Sequence, residues 1–409
     1  MSSIYRVLAL CAACVLWLCG AAAQELGGLA RVDPVISKVE ETRGDRTVLT
    51  LGLSQGVPWR VFTLTEPDRL VLDFREADWS AVTPDIFEGG ALSEVRLGTY
   101  LPGWTRMVAR LARPVSVAQA ELAVDDETGA ARLSIRLDPV EADQFAADAG
   151  APRDPRWDLP EPALSAARVP VAEGAETLHV VLDPGHGGVD PGAEVDGLDE
   201  KTLMLTFARE LQEALLRSEG FRVSLTRDDD YFVSLERRIA IAHELGADVF
   251  LSLHADALSQ GTAHGATVYM LSRDASDAAS ARLAERHDRD DILAGVDLSG
   301  ADDRVTGILL DLARQETQPR THALAAALID GMAQTGGPMN RRPLRSASFS
   351  VLKAADIPSV LIEIGFLSSP RDLANLRDPQ WRQRMAEGIR DGLQAWQVSD
   401  AARRALSRQ

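Results

Sequence analysis

Two histidines and two glutamates that lie far apart in the sequence, His186, Glu200, His254 and Glu363, carry the functional groups of a catalytic metal site. Two imidazoles and one carboxylate are common protein ligands of a catalytic zinc ion, whose fourth position stays open for water or substrate. A second carboxylate nearby can accept the proton of that water. We therefore predict a zinc hydrolase, although the same ligand set would also suit non-haem iron.

The elements predicted around these residues would bring them together. From residue 177 onward, short apolar runs alternate with amphipathic stretches, which is typical of an α/β domain with an open, mostly parallel sheet flanked by helices. Strands are predicted at 178–183, 222–226, 247–253, 266–271 and 359–364, and helices from about 200 and at 235–245, 320–334 and 380–396. Because such sheets bind ligands at the carboxyl ends of their strands, four distant segments can converge on one edge.

Each of the four residues also has a purely structural explanation. His186 could be a polar residue of a Pro-Gly-rich loop, and His254 could be a hydrogen-bonded histidine of the core. Glu200 could simply favour a helix N-terminus electrostatically. Glu363 ends an apolar strand, where an unpaired carboxylate would be costly, and this cost favours a functional role.

The first 23 residues have the features of a secretory signal peptide. Arg6 precedes the apolar run 7–20, which is too short to span a bilayer comfortably, and Ala21-Ala-Ala23 fits a cleavage site. All three cysteines lie inside this segment, so the mature chain would contain neither a disulfide nor a thiolate ligand. We expect export to the periplasm and no transmembrane segment after signal removal.

The remaining chain is predicted to hold two domains joined by a linker. Residues 28–140 contain short segments of alternating polarity separated by turns, which predicts a smaller all-β sandwich. Residues 141–176 are rich in Ala, Pro, Asp and Glu and show little periodicity, as in a flexible linker. The catalytic domain is expected to span 177–397. The formal charge of −18 argues against nucleic acid as a partner.

Six motifs follow one another through the C-terminal domain. They are Leu182-Asp-Pro-Gly-His-Gly-Gly188, Gly197-Leu-Asp-Glu-Lys201, Leu225-Thr-Arg227, Leu235-Glu-Arg-Arg-Ile-Ala240, Ser252-Leu-His-Ala-Asp256 and Pro358-Ser-Val-Leu-Ile-Glu-Ile-Gly-Phe366. In these motifs the segment 177–397 resembles the zinc-dependent N-acetylmuramoyl-L-alanine amidases. Residues 28–140 resemble the AMIN domain that precedes many such amidases, most clearly at Pro67-Asp-Arg-Leu-Val-Leu-Asp-Phe74. The combination is similar to exported amidases that split the septum of dividing Gram-negative cells.

This resemblance implies a role for each motif residue. One Zn²⁺ per catalytic domain would be bound by His186, Glu200 and His254, and Glu363 would be the catalytic acid and base. The substrate would be peptidoglycan, cut between N-acetylmuramic acid and L-alanine of the stem peptide during cell-wall remodelling and septum splitting. Two further motif residues, Arg227 and Arg237, are candidates for orienting the substrate or supporting the structure.

An insertion at about 276–318 resembles the regulatory helix that covers the zinc site of division amidases. In those relatives a glutamate of this helix blocks the metal, and here His287 occupies the corresponding place. Imidazole is a good zinc ligand, so His287 is a candidate autoinhibitory ligand. The resemblance further implies a LytM-domain activator protein that pulls the segment away, and enrichment of the enzyme at the septum.

Two other classes of function stay open on the sequence alone. The same metal chemistry would serve a zinc peptidase or deacetylase that acts on another envelope substrate. A non-catalytic peptidoglycan-binding protein is a third possibility, although a degenerate enzyme would usually have lost a member of the metal set or Glu363.

Overall fold

The structure, a computed structural model, describes residues 29–152, 177–257, 263–293 and 307–407, except residues 76, 126, 336 and 355. The predicted signal peptide (1–23) and residues 153–176 of the predicted linker lie outside the described residues. Within these ranges no helix combines the length and the apolar character that a bilayer crossing requires.

The N-terminal part is a β-sandwich, as its alternating segments predict. Its strands are β1 (Ala30–Thr42), β2 (Arg46–Leu53), β3 (Trp59–Leu64), β4 (Arg69–Arg75), β5 (Ala77–Asp78), β6 (Leu92–Leu101), β7 (Trp104–Leu111), β8 (Val115–Val124) and β9 (Ala131–Pro139). One sheet has the order β5-β1-β2-β9-β8 and the other β3-β4-β7-β6. Both contribute apolar side chains to one shared core, in which Leu49, Leu72 and Ile135 are fully buried.

One strand of this sandwich is buried on both faces. In β4, Leu70 and Leu72 point into the shared core, while Val71 lies on the opposite face and is equally buried. Val71 packs there with residues of the C-terminal domain, among them Val189 and Phe232. The four-stranded sheet is therefore the middle layer between the sandwich core and the second domain.

The C-terminal domain is built on a six-stranded sheet with the order β13-β10-β14-β17-β15-β16. Its strands are β10 (Leu178–Pro184), β13 (Phe221–Leu225), β14 (Val249–His254), β15 (Ala266–Leu271), β16 (Met339–Ala347) and β17 (Ser359–Glu363), and a small hairpin consists of β11 (Glu194–Val195) and β12 (Leu198–Asp199). Only the β15–β17 pair of the large sheet is antiparallel. The prediction of an open, mostly parallel sheet is confirmed.

Helices cover both faces of this sheet. In the C-terminal domain they are Glu200–Leu216, Leu235–Leu245, Ala278–Leu293, Gly307–Thr335, Pro370–Arg377 and Pro379–Ser407. One core cluster, with Phe207, Leu328 and Trp396, fills one side of the sheet, and a second, with Phe250, Leu283 and Phe349, fills the other. The helix Glu200–Leu216 begins at the predicted residue because Asp199 accepts a hydrogen bond from the Thr202 amide and caps it.

Several elements differ from the sequence prediction. A helix, Ala142–Asp148, lies within the range predicted as linker, and its Phe145 is buried in the sandwich core. The predicted helices at 320–334 and 380–396 are longer, at 307–335 and 379–407. Strand β16 was not predicted, because its sequence Met-Asn-Arg-Arg-Pro-Leu-Arg-Ser-Ala has neither an apolar run nor alternation.

A buried ion pair in the sandwich gives a test of its stability. Asp73 accepts two hydrogen bonds from Arg106, at 2.6 and 2.9 Å, and one from Arg60 at 2.8 Å. Although burial opposes ionisation, Arg106 and Arg60 lower the pKa of Asp73 below its ordinary value. We expect Asp73→Asn to lower the free energy of unfolding of this domain by about 3–5 kcal/mol, since it leaves the buried Arg106 without its counter-charge. Urea denaturation followed by tryptophan fluorescence measures this.

The pH dependence follows from the sign of that pKa shift. The stabilisation should be complete above the unfolded carboxyl pKa of about 3.9 and disappear as the pH falls through the lower folded value. The difference between wild type and Asp73→Asn should thus be constant from neutral pH down to about 5 and shrink in acid. Asp138→Asn, which removes a partly exposed partner of Arg46 and Arg136, is the control and should change stability by no more than about 1 kcal/mol. Equal unfolding midpoints for Asp73→Asn and wild type would contradict the prediction.

Candidate metal centre

The four predicted residues meet at the carboxyl edge of the sheet. His254 is the last residue of β14 and Glu363 the last of β17, and the parallel register pairs them directly. His186 follows β10, the neighbour of β14 on its other side. Glu200 opens the helix that packs on β10 and β14. The topology therefore explains why residues 177 positions apart share one site, as the sequence analysis predicted.

The loop after β10 adopts a conformation that its sequence permits. His186 has a φ of +60°, in the left-handed region. Gly185 must lack a side chain, because a Cβ there would lie 2.3 Å from Cε1 of His254. Two buried arginines hold the loop from behind. Arg227 donates to the carbonyls of Pro184 and Gly185, and Arg238 donates to those of Pro184 and His186.

Glu200 links the two histidines. Its Oε2 lies 3.2 Å from Nε2 of His186, and its Oε1 lies 3.1 Å from Nδ1 of His254. The same two oxygens accept hydrogen bonds from the amides of Ala193 at 3.0 Å and Ala255 at 2.8 Å. The carboxylate is fully buried, and these partners, His186 above all, hold its pKa well below the ordinary value in spite of burial.

His186 has a second carboxylate partner on its outer nitrogen. Its Nδ1 lies 2.7 Å from Oδ2 of Asp190, and both side chains are buried. Burial disfavours a charged imidazole, but Asp190 and Glu200 together raise the pKa of His186 well above its ordinary value. A carboxylate on the outer nitrogen fixes the orientation of a metal-binding histidine and increases its basicity.

These residues fit a divalent metal ion. One ligand atom from each of His186, Glu200 and His254 lies within 4.8 Å of the others. Burial, then His287 and His186, lowers the pKa of His254 to about 4, so this imidazole is neutral and can donate a lone pair. The buried Nε2 of His186 has no hydrogen-bond partner among the described residues, which is unusual unless another group occupies the site. The carboxylates of Asp190 and Glu200 flank His186, and their negative charges would also favour the binding of a cation.

Glu363 lies beside this group and is fully buried. Its Oε2 accepts a hydrogen bond from the Asp256 amide at 3.0 Å, while its buried Oε1 has no partner in the described part of the chain. Burial, with further contributions from Glu200 and Asp256, raises the pKa of Glu363 well above its ordinary value. A carboxyl group held in this way beside a metal site has the chemistry of a general base and acid.

The insertion places a helix over the site. The helix Ala278–Leu293, here called the covering helix, buries Leu283 and Ala284 in the core and turns His287 inward. Nε2 of His287 lies 3.8 Å from Oε1 of Glu363 and 3.8 Å from Oδ2 of Asp256. Its ring centroid is 4.3 Å from that of His254 and 5.9 Å from that of His186.

Hydrogen bonds on either side of His287 fix the covering helix. Arg286 donates to Oδ1 of Asp256 at 2.7 Å. Two residues later, both oxygens of Asp288 accept hydrogen bonds from Ser350, one from its amide at 3.2 Å and one from its hydroxyl at 2.9 Å. Residues 294–306 of the insertion lie outside the described residues, and its last part belongs to the helix Gly307–Thr335.

The two predicted arginines have other partners. Arg227 is buried, and its guanidinium donates to the backbone carbonyls of Pro184, Gly185, Lys201 and Asp229. These contacts support the His186 loop, so direct contact with substrate is not proposed for Arg227. Arg237 forms an ion pair with Glu244 at 2.7 Å, and its role in orienting the substrate stays a prediction.

Sequence reasoning missed the residues that support the site. Asp190 lies four residues after His186 in the first motif, and a carboxylate beside a candidate histidine ligand was a usable signal. Asp183, fully buried, receives hydrogen bonds from Arg238, Thr226 and Ser252, and so ties β10 to β13, β14 and the following helix. Nothing local in the sequence shows this network, since the three partners lie 43 to 69 positions after Asp183.

Comparison with known proteins identifies both parts of the chain. Residues 180–395 match the family model of N-acetylmuramoyl-L-alanine amidases, which is more than half of the chain. Residues 38–150 match the model of the AMIN domain.

Curated relatives match along most of the chain. An N-acetylmuramoyl-L-alanine amidase AmiC from Neisseria meningitidis serogroup B is 31% identical over 86% of this chain and 86% of its own length. An AmiC from Escherichia coli O6:H1 is 28% identical over 90% of each chain. An AmiA from Escherichia coli K12 is 37% identical over 52% of this chain and 74% of its own length. On these matches, the chain belongs to the N-acetylmuramoyl-L-alanine amidase family and has an AMIN domain ahead of its catalytic domain.

Proposed function

We propose that this protein hydrolyses the amide bond between N-acetylmuramic acid and the L-alanine of peptidoglycan stem peptides, in the remodelling of the cell wall and the splitting of the septum. The observation that carries the proposal is the buried cluster of His186, Glu200 and His254 with Glu363 beside it, in a chain of this family. A predicted signal peptide and the AMIN domain, together with AmiC relatives, support a periplasmic enzyme enriched at the division site.

His186, Glu200 and His254 are the proposed ligands of one Zn²⁺. When bound, the metal would lower the pKa of a coordinated water to about 7 and polarise the scissile carbonyl. The protein's contribution is to hold the ligands in place beforehand. Asp190 orients His186, and the amides of Ala193 and Ala255 orient Glu200.

Glu363 is the proposed general base and acid. Its free Oε1 would take the proton of the attacking water and return it to the nitrogen of the leaving L-alanine. Its amide partner at Asp256 fixes the other oxygen, so only Oε1 is available for this transfer. Positioned proton transfer of this kind contributes roughly 10²–10⁴-fold to a rate.

We expect Glu363→Gln to abolish most of the activity while leaving zinc bound. The test is digestion of purified peptidoglycan by zinc-loaded mature protein, in a His287→Ala background and in wild type, with mass spectrometry of the fragments. Free stem peptides with a new L-alanine amino terminus are expected, at a rate roughly 10²–10⁴-fold lower in Glu363→Gln.

Glu200→Gln is the matched comparison, since it should lose zinc as well as activity. Metal analysis and circular dichroism on each variant separate loss of chemistry from loss of structure. Cleavage within the stem peptide, or release of acetate, would instead support a zinc peptidase or deacetylase. Full activity of Glu363→Gln would refute its proposed role.

We further propose that the covering helix inhibits the enzyme. The buried imidazole of His287 fills the space next to Glu363 and His254 that a substrate amide would need, whether or not it also binds the metal. The contacts of Arg286 and Asp288 support the closed position. A LytM-domain activator is the proposed partner, and it would act by binding the open state more tightly than the closed one.

Release of this inhibition gives a second test. If the open state amounts to roughly 1–10% of molecules, His287→Ala should raise basal peptidoglycan hydrolysis by about 10-fold or more, because removing the imidazole frees the site. Asp288→Asn should raise it less, by weakening the contact with Ser350 only. The rate of dye release from labelled sacculi measures both.

Glu285→Ala is the control for charge on the covering helix. This side chain is exposed on the same helical turn, so its removal should leave basal activity at the wild-type value. An unchanged or lower rate in His287→Ala, with zinc content and thermal unfolding as in wild type, would contradict inhibition by the covering helix.

A further inference from the structure

The AMIN domain lies directly against the loop that carries His186. The carbonyl of Thr99, on β6, accepts hydrogen bonds from two amides of the catalytic domain, Val189 at 3.1 Å and Phe232 at 3.3 Å. Val189 is three residues after His186, and its amide therefore belongs to the backbone segment that positions the imidazole. Because the Thr99 carbonyl accepts hydrogen bonds from two amides of the other domain, this contact fixes the relative position of the two backbones.

An ion pair between Arg96 and Asp190 connects the AMIN domain to the partner of His186. Nη1 of Arg96 in the AMIN domain lies 3.5 Å from Oδ1 of Asp190, whose other oxygen is 2.7 Å from Nδ1 of His186. Despite burial, His186 and to a lesser degree Arg96 hold the pKa of Asp190 below its ordinary value. A line of contacts thus leads from the first domain through one carboxylate to a proposed metal ligand.

Apolar packing surrounds these polar contacts. Val189 and Phe232 of the catalytic domain share a buried cluster with four AMIN side chains, namely Phe62, Leu64, Val71 and Val108. Tyr100 stacks on Phe232 with a ring separation of 5.8 Å and an angle of 15°. The guanidinium of Arg106 lies 3.4 Å from the centre of the Tyr100 ring and also donates to Asp73.

The two backbones approach each other closely at Gly98. A Cβ added there would lie 2.5 Å from the carbonyl carbon and oxygen of Gly188 and 2.6 Å from the amide nitrogen of Val189. The φ of Gly98 lies outside the left-handed region, so an alanine would suit strand β6 itself. Its three nearest contacts all belong to the other domain, which makes Gly98 a site where one methyl group specifically separates the domains.

We propose that the AMIN domain is a clamp on the His186 loop, in which Thr99 and Arg96 hold the loop and Asp190 in the positions that metal binding requires. Arg96 and Thr99 are positioning residues, because they act through Asp190 and the loop backbone. The proposal rests on the proposed metal-binding role of His186. It gives this domain a function in the catalytic centre besides any binding to the cell wall.

The test uses the mature full-length protein with two independent variants. Gly98→Ala wedges the domains apart, and Arg96→Ala removes the contact with Asp190. Both should lower Zn²⁺ affinity, measured by competition with a chromophoric chelator, by about 3- to 10-fold. This is less than the roughly 10–100-fold expected for Asp190→Asn, which removes the direct partner of His186.

Hydrogen exchange supplies a readout that does not depend on metal. In the metal-free protein, peptides covering 186–192 and 231–233 should exchange faster in Gly98→Ala than in wild type, since their amides lose the Thr99 carbonyl. Arg110→Ala is the matched control, because it removes an exposed arginine of the same domain that pairs with Glu94. It should change neither zinc affinity nor exchange.

Each outcome decides the proposal. Zinc affinity within twofold of wild type in both variants overturns the clamp, whatever the exchange data show. Faster exchange throughout β2 and β9 would mean that Gly98→Ala unfolds its own domain, and Arg96→Ala alone then decides. If wild type itself binds no zinc, the proposed metal site fails, while unchanged exchange at 186–192 in Gly98→Ala would separately refute the docking.

Discussion

The burial of the Glu200 carboxylate is the constraint on which the catalytic domain is organised. An ion of this size removed from water costs several kcal/mol unless other groups compensate for the lost hydration. Here each oxygen accepts a hydrogen bond from a backbone amide, Ala193 or Ala255, and lies 3.1–3.2 Å from a nitrogen of His254 or His186. The loop after β10, the end of β14 and the start of the helix Glu200–Leu216 must therefore be correctly placed relative to one another for the site to be stable. A metal ion would add the positive charge that this arrangement lacks.

Other buried charges around Glu200 are also compensated by neighbouring groups. Asp190 compensates His186, Arg96 compensates Asp190, and Arg238 compensates Asp183 under the loop. The pairs of Arg96 with Asp190 and of Arg238 with Asp183 join different elements, so each of them also fixes one element relative to another. The contacts that surround the centre therefore extend beyond the four site residues, as far as the first domain.

The sequence was sufficient to predict which four residues meet and insufficient to find most of the residues that support them. His186, Glu200, His254 and Glu363 could be found because each falls at a strand end or a helix start, where parallel topology alone brings residues together. The inward position of His287 could be inferred only from the resemblance of the covering helix to a known one. The contacts of Arg96 and Asp288 could not be predicted. They depend on how the AMIN domain and the covering helix pack against the catalytic domain, and such packing produces no periodic pattern in the sequence.

One signal of the domain contact was nevertheless present in the chain. Strand β4 contains Leu70-Val-Leu72 without a polar residue between the inward-facing leucines, whereas β9 alternates regularly between buried and exposed positions. In a two-layer sandwich the outer face of an antiparallel strand is normally solvated and polar. An apolar residue at that position indicates a third layer, and here the third layer is the catalytic domain.

The two structures that flank the site differ in how they are held, and this difference bears on regulation. The covering helix is fixed around His287 by hydrogen bonds from Arg286 and Ser350, which the proposed activator would have to replace with its own. The AMIN domain is fixed by two backbone amides and an apolar cluster, which are lost only if water enters a buried interface. An activator can shift the equilibrium toward the open state by no more than the difference between its binding free energies for the open and closed states. It follows that activation should release the covering helix while the AMIN domain stays docked, so that the site opens without loosening the loop of His186.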